Sequence, residues 1–167
     1  ASQHLAGGED VPILQPAFSP DGRYLSYIRN EGEWDQLMLQ DLESGKLSVL
    51  VENASLLKPA WIQGVVVQDW SAESDRILFL QSQVGVSALN QVDVATGTVT
   101  PVDLALYTSL SQLSVNPEGR MAMVASAPSV SPRVISTQGA VITIHQRSTS
   151  EALSPADLPT PYEIQWT

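Results

Sequence analysis

One turn phrase occurs three times along the chain, and each time a short apolar run follows it. The phrase reads FSPDGR at 18–23, WSAESDR at 70–76 and VNPEGR at 115–120. The runs that follow are YLSYI at 24–28, ILFLQ at 77–81 and MAMVA at 121–125. Each copy starts with an apolar residue, ends in arginine and leads into a segment suited to a buried strand. This pattern predicts a chain built from repeated structural units.

The second half of the unit repeats as well. LMLQDLESGKLSVLV at 37–51 and LNQVDVATGTVTPV at 89–102 each hold a strand, an acidic residue, a glycine turn and another strand. An offset of 52 residues separates Phe18 from Trp70, Asp41 from Asp93 and Gly45 from Gly97. A period of about 40 to 50 residues with four strands per unit is typical of β-propeller blades. An antiparallel sandwich has similar strand spacing, but the coincident offsets favour blades.

The residues of each turn fit this interpretation. In the first phrase Pro20 presets its own φ, and Gly22 accepts a positive φ, so the chain can reverse tightly between antiparallel strands. Gly45 and Gly97 follow small polar residues, as expected of a hairpin loop with one left-handed position. The sequence therefore predicts an all-β fold of about three four-stranded antiparallel blades, part of a larger six- to eight-bladed propeller.

The predicted blades cover about 12–53, 54–104 and 105–147, and residues 1–11 are interpreted as the tail of an earlier blade. The predicted strands are ILQPAF, YLSYI, QLMLQ and LSVLV, then VVVQDW, RILFLQ, LNQVDV and TVTPV, then LSQLSV, MAMVAS, RVIST and AVITI. The segment SLLKPAWIQ leads into the second blade, and the loop APSVSP joins two strands of the third. Residues 148–167, rich in serine and proline, are predicted to form a linker.

Charge excludes several classes of partner. The 167 residues include 18 acidic and 8 basic side chains, which gives a formal charge of -10. Nucleic-acid binding draws most of its affinity from clustered basic residues, so no nucleic acid partner is expected. The same acidity disfavours an anionic membrane surface, and the longest apolar stretch is shorter than the roughly twenty residues of a membrane span. Without cysteine the redox compartment is not defined; a cytoplasmic location is the working expectation.

A search for hydrolase chemistry finds one weak match. The segment GVSAL at 85–89 approaches the Gly-x-Ser-x-Gly motif of an α/β-hydrolase, but Leu89 replaces the second glycine and no helix is predicted after it. Ser87 is therefore not predicted to be a nucleophile. The two histidines, His4 and His145, have no partner at metal-ligand spacing. We predict no catalytic residue, no cofactor-binding residue and no metal ligand in this chain.

Acidic and aromatic residues have simpler explanations. The acidic groups at 8–10, 31–35 and 73–75 could bind a cation or a peptide amino group, but acidic residues commonly cap turns. Trp70 takes the place of Phe18 in the repeat and is predicted to lie in the core between blades. Trp61 could line a ligand channel, although a packed loop position is favoured. AGGED lacks the lysine and the helix of a phosphate-binding loop.

The segment PAFSPDGRYLSYIRNEGEWDQLMLQDLESGK at 16–46 resembles the blade repeat of TolB-type propellers and of the propeller domain of prolyl oligopeptidase-family serine peptidases. VNPEGRMAMVASAPSVSPRVIST at 115–137 is similar to the last blade of the acylaminoacyl-peptidase-like branch. The ending LPTPYEIQWT resembles the crossing from propeller to hydrolase in that branch, with Glu163, Trp166 and Thr167 at the positions that open the first hydrolase strand.

This resemblance implies a division of labour. The chain would be a non-catalytic propeller portion, residues 1–147, joined by a linker at 148–167 to a C-terminal α/β-hydrolase domain outside it. Such a propeller caps the active site, admits short peptides and excludes folded proteins.

Two alternatives stay open from the sequence. The chain could be a TolB-like propeller that binds a partner protein and has no peptidase activity. It could also be a complete three-blade protein that dimerises, because half a propeller leaves two blade faces without a neighbour. The isolated 167-residue fragment is expected to self-associate, three blades plus three.

Overall fold

A computed structural model describes residues 4–56, 64–83 and 85–150, together with residues 154, 157, 158, 162 and 164. Within these residues the chain forms three antiparallel four-stranded sheets, which we call blades 1, 2 and 3. Blade 1 contains β1 (Ile13–Phe18), β2 (Tyr24–Glu31), β3 (Trp34–Asp41) and β4 (Leu47–Ala54). Blade 2 contains β5 (Gln68–Trp70), β6 (Arg76–Gln83), β7 (Val86–Asp93) and β8 (Val99–Val102). Blade 3 contains β9 (Ser109–Val115), β10 (Met121–Ala127), β11 (Val130–Gln138) and β12 (Val141–Arg147).

Each blade is a simple meander in which every strand pairs with the next one along the chain. This arrangement confirms the predicted all-β fold of four-stranded antiparallel blades. The first strand of each blade, β1, β5 or β9, has one strand neighbour within its own sheet. Half of its backbone groups therefore face away from the sheet and can bond elsewhere.

Two segments differ from the predicted strands. Of the predicted strand VVVQDW, only Gln68–Trp70 pairs in β5. Val65 and Val66 direct their carbonyl groups to Gln15 of blade 1 and Leu113 of blade 3 instead, so this part of the chain bonds neighbouring blades rather than β6. The predicted loop APSVSP is shorter than expected, because Ala127 already pairs with Val130 and β11 starts there.

The three repeated turns close with the same backbone hydrogen bond. Ser19 donates to the carbonyl of Tyr24 at 2.9 Å, Ser71 to Arg76 at 2.9 Å, and Asn116 to Arg120 at 2.9 Å. The first two turns place four residues between the bonded pair, and the third places three. The arginines that end the repeated phrase are thus not all equivalent, since Arg76 and Arg120 stand where blade 1 has Tyr24.

Alternation along the second strand of each blade decides which side chains face which neighbour. Ser26 and Ile28 in β2 face blade 2, whereas Leu25 and Tyr27 face the opposite side. One apolar core runs through all three sheets. It includes Ile28, Leu37 and Leu39 of blade 1, Ile77, Phe79 and Leu89 of blade 2, and Leu110, Leu113 and Ile135 of blade 3. The far side of blade 1 holds a second, smaller cluster of Leu25, Tyr27 and Met38, against which Ala6 and Ile13 pack.

Trp70 anchors the joint between blades 1 and 2, as the repeat predicted. Its side chain is 4% exposed, and its ring stacks on Tyr24 with centroids 6.2 Å apart. The indole N–H donates to the hydroxyl of Ser26 at 3.0 Å. Trp70 therefore contributes apolar area, a stacked pair and a buried hydrogen bond to one joint.

We expect Trp70→Ala to lower the free energy of unfolding by about 3–5 kcal/mol, because it leaves a cavity in a joint that cannot collapse. Trp34, which is 49% exposed, provides the matched control, and Trp34→Ala should cost about 0.5 kcal/mol or less. Denaturant unfolding followed by circular dichroism measures both. Equal losses in the two variants would contradict the role given to Trp70.

Candidate functional site: the two ends of the blade stack

The meander puts two kinds of connection at opposite ends of the blades. The repeated turns at 19–23, 71–75 and 116–120, with the glycine turns at 42–46 and 94–98, share one end, which we call the turn end. The loop end carries the lead-in segments of the blades, the hairpin between β10 and β11, and the chain as it leaves β12. Any functional surface of this fold is built from one of these ends or from an open blade face.

Acidic side chains at the turn end hold the turns themselves. Asp41 accepts hydrogen bonds from the backbone N–H groups of Glu43 and Ser44, and its second oxygen lies 3.1 Å from the guanidinium of Arg23. Asp93, its equivalent in blade 2, accepts from both the N–H and the hydroxyl of Thr96. The backbone N–H of Ser44 is the main cause that lowers the pKa of Asp41, and that of Thr96 lowers the pKa of Asp93.

The repeated phrases use carboxylates in the same way. Asp21 accepts a 2.6 Å hydrogen bond from the hydroxyl of Ser19, which is the main cause that lowers the pKa of Asp21. Asp75 accepts from Ser71 at 2.7 Å, and this bond lowers the pKa of Asp75. The turn interpretation of these acidic groups is therefore supported by their hydrogen bonds.

The acidic segment at 31–35 includes one buried carboxylate with a structural task. Asp35 is buried and accepts hydrogen bonds from the side chain of Asn30 at 2.9 Å and from the backbone N–H of Leu56 at 2.9 Å. It thereby fixes the start of the segment that leaves blade 1. Among the described ranges, no group of three or more histidine or acidic side chains is arranged to hold a metal ion.

The structure places Ser87 inside a regular strand. Ser87 lies in β7 opposite Ser82, is buried, and uses its backbone N–H to bond the carbonyl of Thr108 at 2.9 Å. A nucleophile elbow needs a sharp strand-to-helix turn that exposes the serine, whereas β7 leads through the glycine turn at 94–98 into β8. His4 is exposed and lies far from Ser87 in the chain.

The structure brings together a serine and a histidine, Ser136 and His145, whose contact the sequence did not predict. The hydroxyl of Ser136 in β11 lies 2.7 Å from Nε2 of His145 in β12. The two come together because an irregularity in the pairing of these strands, between Val134 and Ile135, adds one residue to β12. The extra residue in β12 leaves no signal in the hydrophobic pattern, so sequence reasoning could not have predicted this contact. A serine and histidine alone do not make a catalytic site, which also needs a group to orient the base and donors for an oxyanion.

The loop end carries a cleft of about 490 Å³ beside the last blade. It lies between the hairpin from β10 to β11 and the end of β12, and its lining includes Ser126, Ser129, Arg133, Arg147 and Leu158. Two guanidinium groups and several hydroxyls give this cleft donors for carboxylate or peptide carbonyl groups. We refer to it as the loop-end cleft. The predicted positions Trp61, Glu163, Trp166 and Thr167 lie outside the described residues.

Sequence matches to known proteins cover a small part of the chain, and structural matches cover most of it. No family model matches the chain. A 49-residue stretch, 29% of this chain, is 41% identical to the Tol-Pal system protein TolB of Haemophilus influenzae, of which it covers 12%. The chain thus spans about an eighth of the curated relatives it matches.

Solved structures cover far more of the chain. A puromycin-hydrolyzing peptidase of Mycobacterium tuberculosis superimposes on 93% of it with a TM-score of 0.76 and 18% identity, over 24% of that peptidase. A TolB structure from Agrobacterium tumefaciens covers 82% with a TM-score of 0.64 and 18% identity, over 50% of its length. An acylaminoacyl peptidase covers 83% with a TM-score of 0.58 and 12% identity, over 26% of its length.

These likenesses show the fold of the chain, which is a set of β-propeller blades like those in the puromycin-hydrolyzing peptidase, the acylaminoacyl peptidase and TolB. The resemblance stated from the sequence is confirmed in the fold that these proteins share. In the part of the chain that the structure describes, no helix is long and apolar enough to cross a membrane.

The turn carboxylates predict a specific loss of stability in acid. Asp41 and Asp93 have pKa values lowered from 3.8 in the folded chain, so their stabilisation is present above the unfolded pKa and is lost as the pH falls through the folded pKa. We expect the thermal midpoint to fall as the pH is lowered from about 6 to about 3, and to fall less steeply in the double variant Asp41→Asn, Asp93→Asn.

Glu73→Gln removes a negative charge from the same end of the stack and serves as the control, because the Glu73 side chain is exposed. Its midpoint should follow the unmodified chain across the whole pH range. A double variant with an unchanged pH profile would show that Asp41 and Asp93 do not link the fold to pH.

Proposed function

We propose that this chain is the non-catalytic, substrate-selecting propeller portion of a serine oligopeptidase or acylaminoacyl peptidase that acts on short peptides. The observation that carries the proposal is the fit of 93% of the chain to 24% of a peptidase structure, with a TM-score of 0.76. In this proposal residues 1–147 form blades of the propeller. Residues 148–167 form the linker toward a C-terminal α/β-hydrolase domain.

The direction of the strands supports a definite placement of that domain. β12 ends at Arg147 on the loop end, and the backbone N–H of Ser148 donates to the carbonyl of Pro132 at 2.9 Å, which holds the departing chain beside the hairpin from β10 to β11. A domain that follows this segment would face the loop end and its cleft. Short peptides would then pass the propeller to reach the catalytic serine, and folded proteins would be excluded by size.

In this mechanism the blades supply access and binding, and the covalent chemistry belongs to the hydrolase domain. The arginines of the loop-end cleft are placed to bind acidic or carbonyl groups of a peptide, while Ser87 and the pair of Ser136 and His145 remain structural.

The test begins with the native gene beyond Thr167. We expect a continuing frame of roughly 250 residues, the size of one hydrolase domain, with Gly-x-Ser-x-Gly followed by an acidic residue and then histidine. The full protein should react with a fluorophosphonate probe and hydrolyse peptides of a few residues.

A matched pair of variants separates the two candidate serines. Replacing the serine of the predicted motif should abolish labelling, whereas Ser87→Ala should leave both labelling and peptide hydrolysis unchanged. A frame that stops or continues with further blades, together with a protein that no fluorophosphonate labels, would refute the peptidase assignment.

The 41% identity with TolB over 49 residues favours one second candidate, a TolB-like scaffold that binds a partner protein and has no peptidase activity. Under this alternative the probe finds no reactive serine in the full protein. The cytoplasmic location expected from the sequence stays a prediction for either candidate.

A further inference from the structure

The positions that build the joints inside the chain recur on the open face of blade 3. Two positions in different blades are equivalent when they lie the same number of residues before the residue whose N–H closes the repeated turn. After the turn, they are equivalent when they lie the same number of residues beyond the residue whose carbonyl accepts that bond. Counted in this way, equivalent positions are Gln15, Val67 and Gln112; Phe18, Trp70 and Val115; Tyr24, Arg76 and Arg120; and Ser26, Leu78 and Ala122. The joint between blades 1 and 2 can therefore be compared, residue by residue, with the face that blade 3 leaves open.

A glutamine clamp forms the centre of the first joint. Gln15 sits in a bulge of β1 with a left-handed φ of 50°. Its side-chain amide donates to the carbonyl of Val65 at 2.8 Å and accepts from the backbone N–H of Val67 at 3.0 Å. A single side chain thus grips the backbone of the next blade at two points.

Gln112 repeats this arrangement without a strand to grip. It occupies the same position in β9, at an irregularity of the pairing with β10 and with a left-handed φ of 60°. A left-handed backbone is uncommon for glutamine. Its side chain is exposed on the side of blade 3 away from blade 2, and among the described residues it has no side-chain hydrogen bond.

The aromatic contact of the first joint has a matched counterpart as well. At that joint the indole N–H of Trp70 donates to the hydroxyl of Ser26 at 3.0 Å and lies 3.3 Å from the carbonyl of Ala17. The equivalents are Phe18 in β1, which has no N–H, and Ala122 in β10, which has no hydroxyl. Phe18 is 65% exposed, whereas Trp70 is 4% exposed. Packing Phe18 against Ala122 would therefore bury apolar surface and leave no polar group without a partner.

Charge favours the same pairing. Blade 3 contains Arg120, Arg133 and Arg147 but only one acidic residue, Glu118, in a chain with a formal charge of -10. Residues 1–54, which form blade 1 and the segment before it, hold nine acidic and three basic residues. Arg120 stands where Tyr24 stacks on Trp70, and a guanidinium can lie over the ring of Phe18 in its place.

We infer that, in the 167-residue chain, blade 3 docks head to tail against blade 1 of a second copy. The segment before β1, whose Ala6 packs on Leu25 and Tyr27 of that face, is displaced in the dimer. Gln112 bonds the backbone of Ile13 and Gln15 in that copy, the equivalents of Val65 and Val67, and Phe18 packs on Ala122 and Arg120. Ile13 opposes Arg29 between the bonded positions Pro12 and Leu14, so its backbone groups point to the open edge of β1. Two copies provide two identical joints and close a ring of six blades.

This inference goes beyond the proposed function and depends on the fold alone. Light scattering on the purified chain should give a mass of about 36 kDa, twice the 18.0 kDa of one copy. Phe18→Arg and Ala122→Asp should each weaken the dimer by at least about tenfold, as expected for loss of a central contact. Gln112→Ala should weaken it in the same direction. Leu106→Arg, at an exposed apolar side chain of the segment before blade 3, should leave the dimer unchanged.

Mixing the two charged variants provides the decisive result. In a mixed dimer one joint is native, and in the other the arginine introduced at position 18 of one chain faces the aspartate introduced at position 122 of its partner. An equimolar mixture of the Phe18→Arg and Ala122→Asp chains should therefore recover the dimer that neither forms alone. Circular dichroism checks that each variant is folded, and Phe18 is exposed enough for arginine to be accommodated.

Three results would overturn the inference. A monomer for the unmodified chain would leave a further blade of a longer chain as the occupant of this face. A dimer insensitive to both charged variants would place the contact elsewhere on the molecule. Failure of the mixture to recover the dimer, with both variants folded, would exclude the head-to-tail geometry.

Discussion

Face-to-face packing of neighbouring sheets is the interaction on which this molecule depends. A four-stranded sheet has two faces, and apolar residues at alternate positions of the blade strands supply the contacts between them. One blade alone cannot bury both faces, so its stability comes from the joint with the next. Trp70 shows how such a joint is made specific, because its ring packs on Tyr24 while its N–H finds the hydroxyl of Ser26. Non-directional burial is thereby combined with a hydrogen bond that fixes the relative position of the blades.

Stacking the blades in this way separates the chemistry of the two ends. At the turn end, carboxylates such as Asp41 and Asp75 are engaged by turn hydrogen bonds and by arginine. At the loop end, Arg133 and Arg147 line a cleft beside the departing chain. A surface whose polar groups already have partners inside the protein has little left with which to bind a ligand, so the loop end is the better candidate for recognition.

The sequence allowed the blades to be predicted because their information is periodic. Offsets of 52 residues and turns with proline and glycine report local geometry, and local geometry decides where strands begin and end. Contacts between blades leave no periodic pattern in the sequence. Val65 and Val66 have the composition of a strand, but their carbonyl groups bond other blades, and only the assembled stack shows this.

The same limit applies to single side chains. The pair of Ser136 and His145 depends on one extra residue in β12, and an irregularity of this kind changes which side chains meet without changing the hydrophobic pattern. For Ser87, by contrast, the sequence already argues against a nucleophile elbow, because the motif lacks its second glycine. The structure puts the residue in a strand. A motif with a demanding backbone context can be judged from its neighbours, whereas a contact across a bulge cannot.

The turn of blade 3 is one residue shorter than its two counterparts. This difference determines where a hybrid chain must be cut if one blade is to replace another. Because side chains alternate between the faces of a strand, a shift of one residue turns every core side chain toward solvent. The chain avoids this because the missing residue lies between Asn116 and Arg120, so β10 still presents Met121 and Met123 to blade 2. A hybrid cut at the closing hydrogen bond of each turn would preserve the core. A hybrid that treats Arg23 and Arg120 as equivalent positions would shift the next strand by one residue and reverse its two faces.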